Sequence, residues 1–351
     1  MSGIPAGAMR FNSDSQKLEY WNGSAWFEVH TTTPNMATSG DREPGARGLF
    51  AGGYQPGAYQ NDIDYINIAS TGNTQDFGTL GTAVTAGGGV GSRTRALFGG
   101  GYVPGSPGGI AQIDTVVFSS TGDFSDFGDL NNSANTRRAT AGNATRGLFA
   151  GGGAPGATQI DYVTIATTGE ATDLGDLTVG RSRFSGGGSL TRSVFAGGFT
   201  GPSPNVYRET IDFVNTSTLG DAQDFGSLTR AKSWTAVCSN ATRLLIGGGA
   251  IAPDGNTAVS EMEYVTIASG GNGVIFGDLN KVVDTGHYAG SGLASSTRGV
   301  FNTGLFLNPN TTYHNVIYFV QISTQGQAQD FGDLDGKRYG VQTASNGHGG
   351  L

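Results

Sequence analysis

The sequence holds one cysteine, Cys238, so no disulfide framework can form within a chain and a cysteine-type zinc cluster is excluded. Cys238 lies in the strand-like run SWTAVCSN and reads as a small buried apolar residue. No run of 18 apolar residues occurs, which removes any transmembrane helix. Charge is scarce: 14% of residues are charged, and the net charge of −8 leaves no basic footprint for nucleic acid or an anionic membrane. The four histidines, His30, His287, His314 and His348, have no second His or carboxylate at ligand spacing, so no histidine-type metal site is expected. The opening MSGIPAGAMRFNSDS lacks a basic n-region and an apolar h-region, so a signal peptide is not expected and the chain should stay soluble in the cytoplasm that makes it. Helical periodicity is almost missing.

Glycine is what the chain has in excess, 61 of 351 residues against a usual share of about 7%. Hydrophobic residues still make up 36%, and the glycines recur at fixed points, which favours a folded repeat over a low-complexity tract. An Arg-x-Leu-Phe-like strand followed by a glycine run begins at Arg47, Arg95, Arg146, Arg192, Arg243 and Arg298. The spacings are 48, 51, 46, 51 and 55 residues, with 53 residues after the last arginine. A period near 50 indicates a stacked or radial repeat. Each unit offers four strand candidates separated by Gly, Pro, Ser and Asn turns; in the second copy they are residues 83–88, 95–100, 113–119 and 126–130. Four strands in each of six units describe a six-bladed β-propeller. A linear solenoid would need capping repeats, and none stands at the C-terminal end.

The phasing leaves the first unit without its first strand, because DREPGA before Arg47 is poor strand material. Residues 338–345, RYGVQTAS, supply the missing strand and would close the ring, removing exposed sheet edges. The glycine runs that end the second strands are expected where neighbouring units converge and the backbone bends sharply. None of them is a phosphate loop, since no Gly-Lys-Ser/Thr or following helix is present, and no cofactor is expected.

The third strand carries an acid at Asp64, Asp114, Asp161, Asp212 and Glu263, with Tyr318 in the sixth copy. The same residue at radially separated positions does not make a catalytic centre, which needs different groups converging on one point. Each carboxylate is instead expected to accept hydrogen bonds from loop amides or from the recurrent arginine. The fourth strand holds Asp-Phe-Gly at 76–78, 126–128, 224–226 and 330–332, whose Phe is core; no kinase glycine loop or strand lysine accompanies it. With no nucleophile elbow and no carboxylate pair standing out from the repeat, the chain is read as not an enzyme.

Before the repeats, AMRFNSDSQKLEYWNGSAWFEVH reads as a small β-meander with strands near residues 9–11, 18–21 and 25–29 and an Asn-Gly hairpin signal. So short a sheet needs a partner, copies of itself, or its own chain to pack on, and Tyr20, Trp21, Trp26 and Phe27 supply the apolar area. The domain reading is a meander over 1–31, a linker over 32–45 and the repeats over 46–351. The loops after the glycine runs (54–61, 102–111, 154–159, 199–209, 250–260 and 305–315) differ from copy to copy and carry Tyr, Pro, Asn and Gly. That composition suits adaptable contact with a partner, although tolerated length variation is the plain alternative. Tyr54, Tyr102, Phe199, Tyr207, Asp254, Asn308 and Tyr313 are the candidate partner-binding residues.

The double glycine ending the second strand, the aromatic in the third and the period near 50 resemble kelch-type propellers, with the Phe of Asp-Phe-Gly replacing the usual fourth-strand tryptophan. The phrases RGLFAGG, IDYVTIATTG and DFGDL in tandem more closely resemble kelch-like repeats of virion structural proteins from tailed, particularly marine, bacteriophages. The leader is similar to a short module of phage tail-fibre and other virion proteins. The resemblance implies a virion component assembled in the host cytoplasm and oligomeric in the particle. Its leader would dock to other virion proteins, and its head would adhere to a host cell-surface receptor or glycan, as in a tail fibre or other tail appendage. A capsid decoration or tail connector with a purely structural role is the alternative. A cellular kelch-type scaffold fits less well, because no partner-recruiting domain is attached.

Overall fold

The computed structural model describes residues 5–12, 17–28, 46–106, 109–131, 136–153, 156–201, 206–251, 257–279, 287–288, 290–306 and 312–351. The predicted linker, residues 32–45, lies outside them. The chain divides into two compact units, Met1–Arg42 and Glu43–Leu351. Among the described residues it is all-β, with many small antiparallel sheets and no helix.

The first unit is a three-stranded antiparallel sheet of Met9–Asn12, Lys17–Trp21 and Trp26–Glu28. Asn22 makes its hairpin turn: its side-chain oxygen accepts from the amides of Ser24 and Ala25, both at 2.8 Å, and Gly23 takes φ +103°.

The second unit contains six four-stranded antiparallel sheets, whose strands are called a to d in spatial order. Sheet one is Gln342–Ser345, Arg47–Ala51, Asp62–Asn67 and Gln75–Thr79. Sheet two is Gly88–Gly91, Arg95–Gly99, Gln112–Val117 and Ser125–Asp129. Sheet three is Ala139–Gly142, Arg146–Ala150, Gln159–Thr164 and Thr172–Asp176. Sheet four is Ser185–Gly188, Arg192–Ala196, Thr210–Asn215 and Gln223–Ser227. Sheet five is Ala236–Ser239, Arg243–Gly247, Glu261–Thr266 and Val274–Asp278. Sheet six is Ser291–Ala294, Arg298–Asn302, Val316–Gln321 and Gln329–Asp333.

Residues from the C-terminal segment thus complete sheet one: Gln342 to Ser345 pair with Ala51 to Gly48. Strand a begins later than the sequence predicts, at Gly88 rather than residue 83 in sheet two. The reason is the backbone of the lead-in, where Ala86 adopts φ +56° and breaks the extended run.

Strand a of each sheet packs beside strand a of the next, and that of sheet six packs beside that of sheet one. Close approach therefore occurs at strand a, which explains its Gly, Ser, Thr and Ala composition. A Cβ on Gly89 would overlap the Thr343 carbonyl. The runs ending strand b also meet the neighbouring unit, as expected: a Cβ on Gly52 would overlap the Val84 carbonyl, and the chain bends there, with Gly52 and Gly53 at φ +64° and +105°. Hydroxyls stitch adjacent a strands: Thr140 Oγ1 donates to Gly89 O at 2.8 Å, and Thr343 Oγ1 to Gly292 O at 2.7 Å.

Two further devices join each sheet to the next. The recurrent arginine lies over the strand c aromatic, Arg146 4.3 Å from the Tyr162 ring centroid and Arg298 4.9 Å from that of Phe319. Its guanidinium reaches a carbonyl of the following sheet: Arg47 to Phe118 O at 2.7 Å, Arg192 to Ala268 O at 2.8 Å and, from sheet six to sheet one, Arg298 to Ala69 O at 2.8 Å. Such cation–π contacts stabilise by about 0.5–1 kcal/mol each at exposed sites. The outer edge of strand d is covered likewise. Gly122 N and Phe124 N donate to Phe77 O and Thr79 O, and Gly72 N and Thr74 N of sheet one donate to Phe331 O and Asp333 O of sheet six. Paired edges of this kind block strand addition by other chains.

Asp-Phe-Gly is a β-bulge. Ile63 pairs with Gly78 and Asp64 with Asp76, leaving Phe77 as the extra residue, with its side chain turned into the core at 2% exposure. Gly332 in this motif has φ +146°, and a Cβ there would overlap the Gly72 carbonyl.

The strand c acids are buried; loop amides reach two of them as expected, Gly81 N donating to Asp114 and Thr229 N to Glu263, both at 2.8 Å, but the cation is not the recurrent arginine. Asp161 pairs with Arg138 at 2.8 Å, Asp212 with Arg181 at 2.9 Å and Glu263 with Lys232 at 2.6 Å, while Asp64 pairs with Arg338. The cations come from the lead-in to strand a, since the recurrent arginine is committed to the neighbouring sheet. Sheet two shows how the acid manages without one. Val84 stands where Arg181 and Lys232 stand elsewhere: its carbonyl accepts from the Gly53 amide as theirs accept from Gly152 and Gly198. Asp114 is satisfied by the Gly81 amide at 2.8 Å and by Gln112 at 2.6 Å. Cys238 is buried in the core of sheets five and six, and that burial pushes its thiol pKa up.

Residues 346–351 close one end of the space between the a strands. Asn346 Oδ1 accepts from the Arg47 amide at 2.8 Å, Gly349 N donates to Ser239 O at 2.9 Å, and a Cβ on Gly350 would overlap the Gly142 carbonyl. His348 fixes this segment. Its Nδ1 accepts from Gly350 N at 3.1 Å, which places the ring proton on Nε2, 2.7 Å from Gly91 O.

Burial holds the His348 pKa below its ordinary 6.5, opposed by the hydrogen bond to Gly91. The folded state therefore resists a proton that the unfolded chain takes up below pH 6.5, so this residue's contribution to stability is lost as the pH falls. Asp64 acts with the opposite sign: burial lifts it to about 6 against the pull of Arg338, so its protonation favours the fold as the pH falls from about 6 towards 4. The two are separated by comparison with His348→Gln, which keeps a donor and an acceptor but does not titrate. Urea melts at pH 7.5 and 5 should show the wild type losing stability relative to His348→Gln, by at most about 1.4 kcal/mol per pH unit. Parallel pH dependence in the two proteins would contradict this.

Candidate functional site

In sheets one to five the residue two before the a strand takes a left-handed backbone. Ala86, Arg137, Arg183, Trp234 and Gly340 have φ of +56°, +59°, +57°, +56° and +65°. Their backbones are linked from sheet to sheet: Ala86 N donates to Gly340 O at 2.8 Å, Arg137 N to Ala86 O at 2.7 Å, Arg183 N to Arg137 O at 3.1 Å and Trp234 N to Arg183 O at 2.7 Å. The corresponding residue of sheet six, Ala289, lies outside the described residues. This arc frames one end of a cavity of about 170 Å³ lined by the a strands of all six sheets, whose other end holds His348.

Arg137, Arg183 and Trp234 are half-buried and converge over this mouth. Both guanidiniums sit by the same indole, Arg137 at 5.7 Å and Arg183 at 5.4 Å from its centroid. Arg183 also lies 4.7 Å from the Phe199 ring, which meets Tyr207 edge-on at 5.5 Å. The cavity lining contains Arg137, Arg138 and Arg183 and, among the described residues, no carboxylate. Arg138 pairs with Asp161 at 2.8 Å.

A tyrosine arc adjoins it. Tyr313 and Tyr339 are 5.8 Å apart, Tyr339 and Tyr54 5.6 Å, Tyr54 and Tyr59 5.0 Å, and Tyr59 and Tyr102 5.8 Å. Short hairpins hold it: Tyr54–Gln55 pairs with Ala58–Tyr59, Leu305–Phe306 with Thr312–Tyr313, and Tyr54 bridges to Tyr339. Burial and the neighbouring phenols push Tyr59 and Tyr339 above their ordinary value of 10, with Arg137 opposing this at Tyr339. Both therefore stay protonated at neutral pH and can donate hydrogen bonds.

Of the loop residues singled out from sequence, Tyr54, Tyr102 and Tyr313 fall in this arc, and Phe199 and Tyr207 beside Arg183. Asp254 and Asn308 lie outside the described residues. Arg137, Arg183, Trp234, Tyr59 and Tyr339 were not singled out. Their one sequence signal is position, since each of the first three sits two residues before an a strand.

The first unit separates its five aromatics onto two faces. Tyr20 and Phe27 stack at 5.8 Å beside Met9 and Phe11, all four of them exposed. Trp21 and Trp26 pack at 5.5 Å on the other face, where Arg10 lies 4.2 Å from the Trp26 ring and bonds Glu19 at 2.8 Å.

Among the described residues no group of three His, Cys, Asp or Glu is placed to hold a metal ion. The chain matches no protein-family model and no curated protein.

Proposed function

We propose that residues 46–351 form a six-bladed β-propeller acting as a non-enzymatic binding head, and that the chain is a virion protein, a tail fibre or other tail appendage adhering to the host surface. The order of contacts among the a strands, with sheet six meeting sheet one, supports the propeller. One observation carries the binding role: loops that differ in sequence, from separate sheets, bring Tyr54, Tyr59, Tyr102, Tyr313 and Tyr339 into one half-buried arc beside Arg137. Aromatic anchors clustered at one end of a rigid scaffold are the composition of a recognition surface. The exposed Met9, Phe11, Tyr20 and Phe27 face suits docking to another virion protein. The virion assignment rests on the sequence resemblance alone.

The test is binding of purified protein to host cells. Replacing residues 250–260 or 305–315 with a short Gly-Ser turn should reduce binding while the melting temperature holds. Undiminished binding, or a particle map with the loop end buried against neighbours, would instead favour a capsid decoration or tail connector.

A further inference from the structure

We propose that the cavity between the a strands takes the end residue of a neutral sugar chain. Its hydroxyls pair with the side-chain amide of Gln342, and the residues that follow lie along the tyrosine arc. The assignment rests on the reading of the loop end as the binding face and names what that face takes.

The first argument is an amide out of pattern. Strand a begins with Gly88, Ala139, Ser185, Ala236 and Ser291 in sheets two to six, but with Gln342 in sheet one. Five copies show that a small residue suffices for the fold here. Gln342 nevertheless stands in the cavity wall at 2% exposure, and its Oε1 has no hydrogen-bond partner among the described residues. The chain makes room for it, since a Cβ on Gly87 would overlap its amide nitrogen. A buried amide oxygen left unpaired is costly, so one kept where the fold does not need it points to a ligand that supplies the donor.

The second argument is position. Gln342 follows Tyr339 by three residues in the lead-in to strand a of sheet one, and the Tyr339 carbonyl accepts from Thr85 Oγ1 at 3.3 Å. Thr85 in turn bridges to Tyr102 and stands two residues before Gly87. The backbone that carries Gln342 and Gly87 therefore also holds Tyr339 and Tyr102, which places the arc next to the amide.

The third argument selects a sugar. A cavity of about 150 Å³ holds a benzene ring, so one of about 170 Å³ has room for one six-membered ring. Gln342 Oε1 calls for a donor, which a sugar hydroxyl provides. A proline-rich segment, another occupant of aromatic grooves, has no N–H at its prolines and would leave the oxygen unpaired. Tyrosine rings pack against the C–H faces of sugars, and the protonated phenols of Tyr59 and Tyr339 donate to hydroxyls. These groups are uncharged, so the contacts require no charge on the ligand. With the far end closed by residues 346–351, only the end of a chain enters.

Calorimetry on the full chain tests this with linear glucan, galactan and mannan oligomers, and with oligoproline as the peptide probe. At least one sugar should bind, with affinity little changed as salt rises from about 50 to about 500 mM. Gln342→Ala, which installs the residue of sheets three and five, should weaken binding about tenfold or more with an unchanged or higher melting temperature. Gln342→Ser, the residue of sheets four and six, gives the same reading should the alanine variant melt lower. Tyr102→Ala should weaken long oligomers more than the disaccharide of the same sugar. Binding of oligoproline alone, binding of none of the probes, or full affinity in the Gln342 variants would overturn the proposal. Host-cell binding separates it from the adhesion reading. Cell binding untouched by Gln342→Ala removes the neutral sugar as adhesion ligand but leaves adhesion standing, whereas sugar binding without cell binding removes adhesion and keeps the site.

Discussion

Removing residues 338–351 is expected to abolish cooperative folding of the repeat unit, not to fray one edge. The deletion takes strand a from sheet one and so uncovers Leu49, Phe50 and Ala51, each 0% exposed in the intact protein. It leaves Asp64 buried without Arg338, and loss of one partner from a buried pair costs about 3–5 kcal/mol. It also removes the Asn346 bond to Arg47, the contacts of Thr343 and Ser345 with sheet six, and the His348 contact with sheet two. Together these approach the whole stability of an ordinary domain, about 5–15 kcal/mol. Urea titration followed by near-ultraviolet circular dichroism and by fluorescence should give a broad, non-coincident transition or none. A single sharp transition shifted by only about 1–2 kcal/mol would contradict the account.

The second large effect is expected at the buried ion pair of sheet four. Arg181→Met should destabilise the protein by about 3–5 kcal/mol, because the Asp212 carboxylate, 0% exposed, is left charged in the core with only the Thr178 hydroxyl. Asp212→Leu should cost a similar amount for the mirrored reason. The double variant should recover most of the loss. Burial already pulls the Arg181 guanidinium below its ordinary pKa against the attraction of Asp212, and its Nε and Nη1 lack hydrogen-bond partners, so the pair is costly to desolvate. Val84 shows that a sheet of this chain can be built with an apolar residue at the cation's place. Equilibrium melts of the four proteins give the coupling directly; a double variant as unstable as the sum of the singles would show that the pair's gain is not mutual.

Strands b, c and d were legible because their residues are chemically distinctive: Arg-x-Leu-Phe, the acid and aromatic of strand c, and Asp-Phe-Gly recur with little change. Strand a was harder to place. The demand for close approach fills it with Gly, Ser, Thr and Ala, the residues of turns, so its composition conceals its conformation. The same demand makes residues 346–350, NGHGG, look like a loose end, although Gly349 and Gly350 have no room for a Cβ.

The mouth escaped for another reason. Its position is defined by backbone dihedrals, and Ala86, Arg137, Arg183, Trp234 and Gly340 share no side chain by which an alignment of copies could pick it out. The cation that pairs with the strand c acid was likewise misplaced. The arginine that recurs most visibly, Arg47 and its counterparts, is spent on the neighbouring sheet, while the buried cation varies between Arg, Lys and Val84 and in sheet three comes from Arg138, one residue after the left-handed position.

Closure requires above all that strand a of sheet one belong to the same cooperative structure as the strands it joins. Hydrogen exchange read by mass spectrometry on the intact protein tests this most directly. Amides of Gln342–Ser345 should exchange as slowly as those of Ala139–Gly142, the same strand in sheet three, and both should lose protection in one step as urea is raised. Fast, loop-like exchange of Gln342–Ser345 beside a protected Ala139–Gly142 would show that the chain does not close on itself.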